Sequence, residues 1–258
     1  VRAIVRKELL ELVSNRAMLA SMAALPTILT VTPMGIIWAY GLRPDDLAIK
    51  EIARYYHVLQ PGVAPGASLI EALVEKWLGM FLCTPMFLPV LISSQAIAGE
   101  KEKRTIEPLL ASPASELEIL LGKSVAAVLP AIVLTWIFFV IFAVGADVLS
   151  YPVVKHLLVP NPAWLMGVLV LAPLLALLAN SISVAISARV NDSRLAQQLS
   201  AMCVLPIVGV GATSLAGYLE TGRQFYALSA VVIAALDVIV VWLSAKMFDR
   251  ERVLTRWG

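Results

Sequence analysis

Charge is scarce in this 258-residue chain. Only 15% of its residues are charged and 60% are hydrophobic, whereas a soluble domain usually carries about a quarter charged residues. The formal net charge of +2 is too slight to suggest a nucleic-acid partner. The two cysteines, Cys83 and Cys203, both lie in apolar runs and read as small buried hydrophobes, because a disulfide framework or a metal site needs more ligands at closer spacing. The two histidines, His57 and His156, lack the carboxylate and nucleophile spacing of a hydrolase motif and read as loop residues near a membrane surface. No G-x-x-x-x-G-K-[ST] occurs, and the glycine-rich stretch 62–66 has neither the lysine nor a preceding strand. The chain therefore does not hydrolyse ATP by the usual route, and no catalytic residue and no metal site is assigned.

What fills the space is long uncharged runs. Residues 17–42 hold no charge over 26 positions, enough to cross a hydrocarbon core of about 30 Å at about 1.5 Å per residue. Further runs place spans at 77–99, 123–147, 163–188, 195–219 and 225–246, the last interrupted by Asp237. Before the first span, residues 1–16 set Ile4, Val5, Leu9, Leu12 and Val13 on one helical face, with Arg2, Arg6, Lys7, Glu8 and Glu11 elsewhere. That is an amphipathic helix suited to a membrane surface. The run behind it is too long for a signal-peptide core, so no cleavable signal is expected. The fold class is thus an all-α membrane protein, six transmembrane helices preceded by an amphipathic interfacial helix.

Between the spans, 43–76 is a polar excursion. A short helix is expected over 44–59, a turn over 60–66, and a capping box of Ser68 with Glu71 that starts the helix running into the second span. Residues 147–155 read as a short loop, Pro160 and Pro162 delay the fourth span to about Ala163, and 189–194 is a tight polar turn. Prolines recur inside the first five spans, at Pro26, Pro33, Pro85, Pro89, Pro130, Pro173 and Pro206, as packing kinks or as hinges. Gly209 and Gly211 suggest close helix contact. Asp237 needs a partner, a proton or water inside a bilayer. It and Asn180, with Ser181, Ser183 and Ser187 as neighbours on the fourth span, make an intramembrane polar site, either for substrate or for structure.

The stretch 99–123 is a charged island between two uncharged runs. It carries Glu100, Glu102, Glu107, Glu116 and Glu118 beside Lys101, Lys103, Arg104 and Lys123. Glu100 with Arg104 and Lys103 with Glu107 are spaced for a short surface helix. Pro108 and Pro113 then segment it around Leu109 and Leu110, and Ser115 with Glu118 forms a capping box for the next helix. From spacing alone, an ordinary solvated loop accounts for these features equally well.

The run Ala98-Gly99-Glu100-x-Glu102-x-x-Thr105-x-Glu107-x-Leu109-Leu110-x-Ser112-Pro113 resembles the signature loop of the permeases of ATP-binding-cassette exporters of the second type, the ABC-2 family. The resemblance extends more weakly along the whole chain. It implies six spans, cytoplasmic termini, a homodimer or related heterodimer of permeases in the cell membrane, and a separate ATPase subunit that holds ATP and Mg. This chain would then be a transport subunit with no cofactor of its own. Glu100, Glu102, Thr105, Glu107, Leu109, Leu110 and Pro113 would couple it to that ATPase, and besides membrane lipid no nucleic acid is expected as partner.

Charge counting gives an orientation independently of the family. With a cytoplasmic amino terminus, 14 of the 20 Lys and Arg residues fall on the cytoplasmic side, as the positive-inside rule favours. The single domain 1–258 then divides into an interfacial helix (1–16), span 1 (17–42), an extracytoplasmic loop (43–76), span 2 (77–99), a cytoplasmic coupling loop (100–122), spans 3 to 6 (123–147, 163–188, 195–219, 225–246) and a cytoplasmic tail (247–258). The expected function is export by alternating access, driven by the ATPase. An ATP-independent channel or secondary carrier, or a scaffold coupling an ATPase to an extracytoplasmic partner through 43–76, remains open from the sequence.

Overall fold

A computed structural model describes residues 1–94, 98–99 and 116–247. Among these every regular element is helical, and six helices are long and apolar enough to cross a membrane. The elements are α1 (Arg2–Ser14), α2 (Arg16–Leu42), α3 (Leu47–Tyr55), α4 (Pro65–Phe81), α5 (Thr84–Ser93), α6 (Glu116–Val154), α7 (Pro162–Arg189), α8 (Ser193–Leu215) and α9 (Arg223–Met247). The second span is α4 and α5 together; the other spans are α2, α6, α7, α8 and α9. The segment 100–115 and the tail 248–258 lie outside the described residues.

Short polar side chains start several helices. Asn15, Asp46, Asn161 and Asp192 each accept backbone N–H groups of the helix that follows, Asn161 from Ala163 and Trp164 at 3.0 Å each. The helix of the second span begins earlier than expected. It starts at Pro65, whose missing N–H is no loss in a first turn, and Ser68 is a buried residue inside it rather than its cap. Glu71, the other member of the expected capping box, instead meets Gln60 Nε2 at 3.4 Å and His156 Nε2 at 3.6 Å.

The third span is also longer than the hydropathy suggests. α6 has 39 residues, about 58 Å at about 1.5 Å per residue, so the expected loop at 147–155 is helical as far as Val154. Asp147 does not end the helix because its carboxylate is used locally: Oδ1 accepts the N–H groups of Leu158 and Val159 at 2.8 and 3.1 Å. That bond folds the following connection back along the helix.

Each of three prolines frees a carbonyl, and each time the structure supplies a donor. Pro33 cannot bond Leu29 O, which instead accepts the Trp77 indole N–H at 2.8 Å. Ahead of Pro173, the backbone makes a π-helical turn at Gly167–Leu171 in which Ala172 N–H reaches Gly167 O. The next bond of that pattern would need an N–H from Pro173, so Val168 O is left over and accepts Trp136 Nε1 at 3.1 Å. Ahead of Pro206, a 3-10 turn at Met202–Val204 lets Leu205 N–H take Met202 O. In a bilayer no water would meet these carbonyls, so a side chain or a local change of helix type must.

The main core gathers side chains from α2, α4, α5, α6, α7 and α9. Trp164 is fully buried, with ring centroids 4.8 Å from Phe142, 5.4 Å from Phe81 and 5.7 Å from Phe139. Such a cluster contributes both apolar area and directional ring contacts. α8 reaches α4 through two glycines. A Cβ on Gly79 would lie 3.0 Å from Gly211 Cα, and one on Gly211 would lie 2.8 Å from Met80 N. Gly209, by contrast, faces open space and takes no part in that contact.

Candidate functional site

The expected coupling residues Glu100, Glu102, Thr105, Glu107, Leu109, Leu110 and Pro113 lie outside the described residues. What the structure does show is how the chain on either side of them is held. On the leading side, Ser93 Oγ at the end of α5 donates to Asn180 Oδ1 of α7 at 2.7 Å. Five residues on, the backbone N–H of Ala98 donates to Ser187 Oγ, also of α7, at 2.9 Å. Asn180 and Ser187 are two turns apart on one face of α7, so two consecutive rungs tie the segment to the fourth span. All four residues are buried, where an unmade hydrogen bond would leave a polar group stranded.

On the following side, α6 is tied to α1. Lys123 is 7% exposed, and its Nζ lies 3.3 Å from Glu8 Oε1. One residue earlier, Gly122 admits Ile4 so closely that a Cβ there would lie 2.9 Å from Ile4 Cγ2. Lys123 closes the charged island in the sequence, and the fold buries it. The only signal for this in the sequence is the glycine beside it, which does not identify the partner 115 residues away.

The expected intramembrane pair is not joined by a hydrogen bond. Asn180 is engaged with Ser93 and Ser187 with Ala98, while Asp237 sits on α9 with 4% exposure. Neither oxygen of Asp237 has a hydrogen-bond partner among the described residues. Asn180 thus belongs to the α5–α7 seam, and Asp237 takes no part in its hydrogen bonds.

A family model described as ABC-2 family transporter protein matches residues 2–244. The chain belongs to the ABC-2 transporter family. It is a multi-pass membrane protein and the permease, or transport membrane component, of an ABC-type transporter; the family implies association with an ABC ATPase. No curated protein matches it. In this ABC-2 permease, the two anchored flanks bracket the stretch that carries the resemblance to the family's signature loop.

Proposed function

We propose that this permease exports its substrate from the cytoplasm by alternating access, as one of two copies above a pair of ATPases, and that 100–115 is where the ATPase pushes. The family match carries the reading, and the anchoring of both flanks supports its mechanical part. A displacement applied to 100–115 would pass through Ser93–Asn180 and Ala98–Ser187 into α7, and through Lys123–Glu8 into α1. The segment suits docking on a protein better than binding nucleotide. Its carboxylates repel phosphates, which need a cradle of backbone N–H groups, while Leu109 and Leu110 offer an apolar anchor. The proposed orientation puts both termini and 100–115 in the cytoplasm of a cell membrane.

Charge reversal tests the coupling. Glu102→Lys with Glu107→Lys places like charge against a basic docking surface. The permease is expected to insert and dimerise normally while transport falls and ATP hydrolysis stops responding to substrate. Transport at the wild-type rate with the ATPase bound would sink the coupling assignment. Orientation has its own test, in which cysteines at Ala53 and Ser112 are exposed to an impermeant thiol reagent outside intact cells. Only position 53 should label.

A further inference from the structure

An apolar cavity of about 280 Å³ lies where α4, α7, α8 and α9 meet, lined among others by Leu82, Leu175, Ile207, Val210 and Ile233. Among the described residues, Ser229 and Tyr226 are the only ones on its wall with polar side-chain groups. Leu228 and Val232, 67% and 50% exposed, border it on a side that no helix among the described residues covers. In a membrane-spanning bundle that side faces hydrocarbon, so the cavity opens sideways into the bilayer. A space lined this way does not hold water well, and an apolar body that enters gains dispersion contacts the walls otherwise lack.

A second feature lies on the same stripe of α9. Residues 226, 230, 233 and 237 fall within about 60° of one another at 100° per residue, and Tyr226, Ala230 and Asp237 are all buried. Tyr226 and Ile233 line the cavity; Asp237 follows one turn on, about 6 Å farther along the axis. It is the buried carboxylate with neither oxygen hydrogen-bonded among the described residues. A carboxylate left alone in a membrane interior is costly, and so is a cation dissolved in hydrocarbon. Bringing the two together offsets both costs in a medium of low dielectric.

We propose that this cavity and Asp237 form a binding site for a lipophilic organic cation, such as a quaternary ammonium or phosphonium, whose apolar body fills the cavity and whose charge the carboxylate neutralises. A cation of this kind is weakly hydrated and reaches the site through the lateral opening, whereas a compact ammonium would have to shed a strong hydration shell. That such a cation is cargo rests on the exporter reading; that it binds does not.

The test is equilibrium binding of radiolabelled tetrapropylammonium to the purified permease in nanodiscs, without any ATPase. Tetraphenylphosphonium should displace the label, and tetraphenylborate, matched in shape and opposite in charge, should not. Asp237→Asn should weaken binding about tenfold or more, and Ser229→Phe, which fills the cavity, should weaken it comparably. Asp237→Glu should retain binding, as should Glu220→Gln, which removes an exposed acid. Unchanged affinity in Asp237→Asn, equal loss in Glu220→Gln, or equal competition by both tetraphenyl ions would overturn the proposal. Should Asp237→Asn fail to insert, Asp237→Glu decides: loss of binding in a folded Asp237→Glu permease counts against the site. Stimulation of ATP hydrolysis by the same cation, measured in the assembled transporter, is a separate result. Its absence with binding intact would count against the exporter reading alone.

Discussion

The fourth and sixth spans have the same mean hydropathy, 2.3 over their most apolar windows, yet 56% of that window is buried in the fourth and 17% in the sixth. What distinguishes them is the polar residues. α7 carries Asn180 and Ser187, which meet partners on the second span and just beyond it, and Trp164, whose indole N–H reaches Val74 O at 3.1 Å. α9 presents Leu228, Val231, Val238 and Trp242 outward, and its buried carboxylate makes no such bond among the described residues. Hydropathy sets which helices enter a bilayer. It does not rank them as core or periphery, because lipid tails accept apolar side chains as readily as another helix does.

If α7 is the packed core and α9 its rim, the largest effect should come from Trp164→Ala. It removes the centre of the aromatic cluster and should cost roughly 3–5 kcal/mol, read as a fall in thermal unfolding temperature in nanodiscs. A loss no larger than that of a rim substitution would break the contrast. Next comes Gly211→Leu, which forces α8 off α4 where backbone meets backbone; overpacking of this kind should cost about 1–3 kcal/mol, and Gly209→Leu, facing open space, should be nearly silent by the same measurement.

Asn180→Leu leaves the Ser93 hydroxyl without its acceptor, and in membranes such interhelical bonds are worth about 0.6–1.7 kcal/mol. Pairing it with Ser93→Ala in a double-mutant cycle should recover part of that loss. Additive losses would mean that the bond contributes nothing. The smallest effect should be Val238→Ala on the rim, where a side chain 72% exposed changes stability by within about 0.5 kcal/mol. A larger loss would show that α9 is covered by another chain.

How far the fold was legible depended on the kind of signal. Runs such as 17–42 announced their helices because length and lack of charge are local properties. Helix ends were less legible at 65 and 154. At 65 a proline, not the capping box of Ser68 with Glu71, opens the helix, and at 154 the expected loop is helical because Asp147 finds its partners next to the helix, so the backbone has no reason to stop. The proline-rich spans were recognisable as needing extra donors, but not which donors. Trp77 lies 48 residues from Leu29 and Trp136 lies 32 from Val168, and only the packing of one helix on another sets those pairs.

The candidate site divides in the same way. Its location between the second and third spans follows from hydropathy, and its likeness to a family loop from a contiguous run of side chains. Those are short-range properties, which a chain carries whether folded or not. The anchors on either side are of another kind, joining residues 87, 89 and 115 positions apart. A serine, an asparagine or a lysine has many possible partners in a sequence. Which one it meets is decided by the register in which the helices pack, because a hydrogen bond needs its atoms within about 3 Å and only the tertiary structure brings them there.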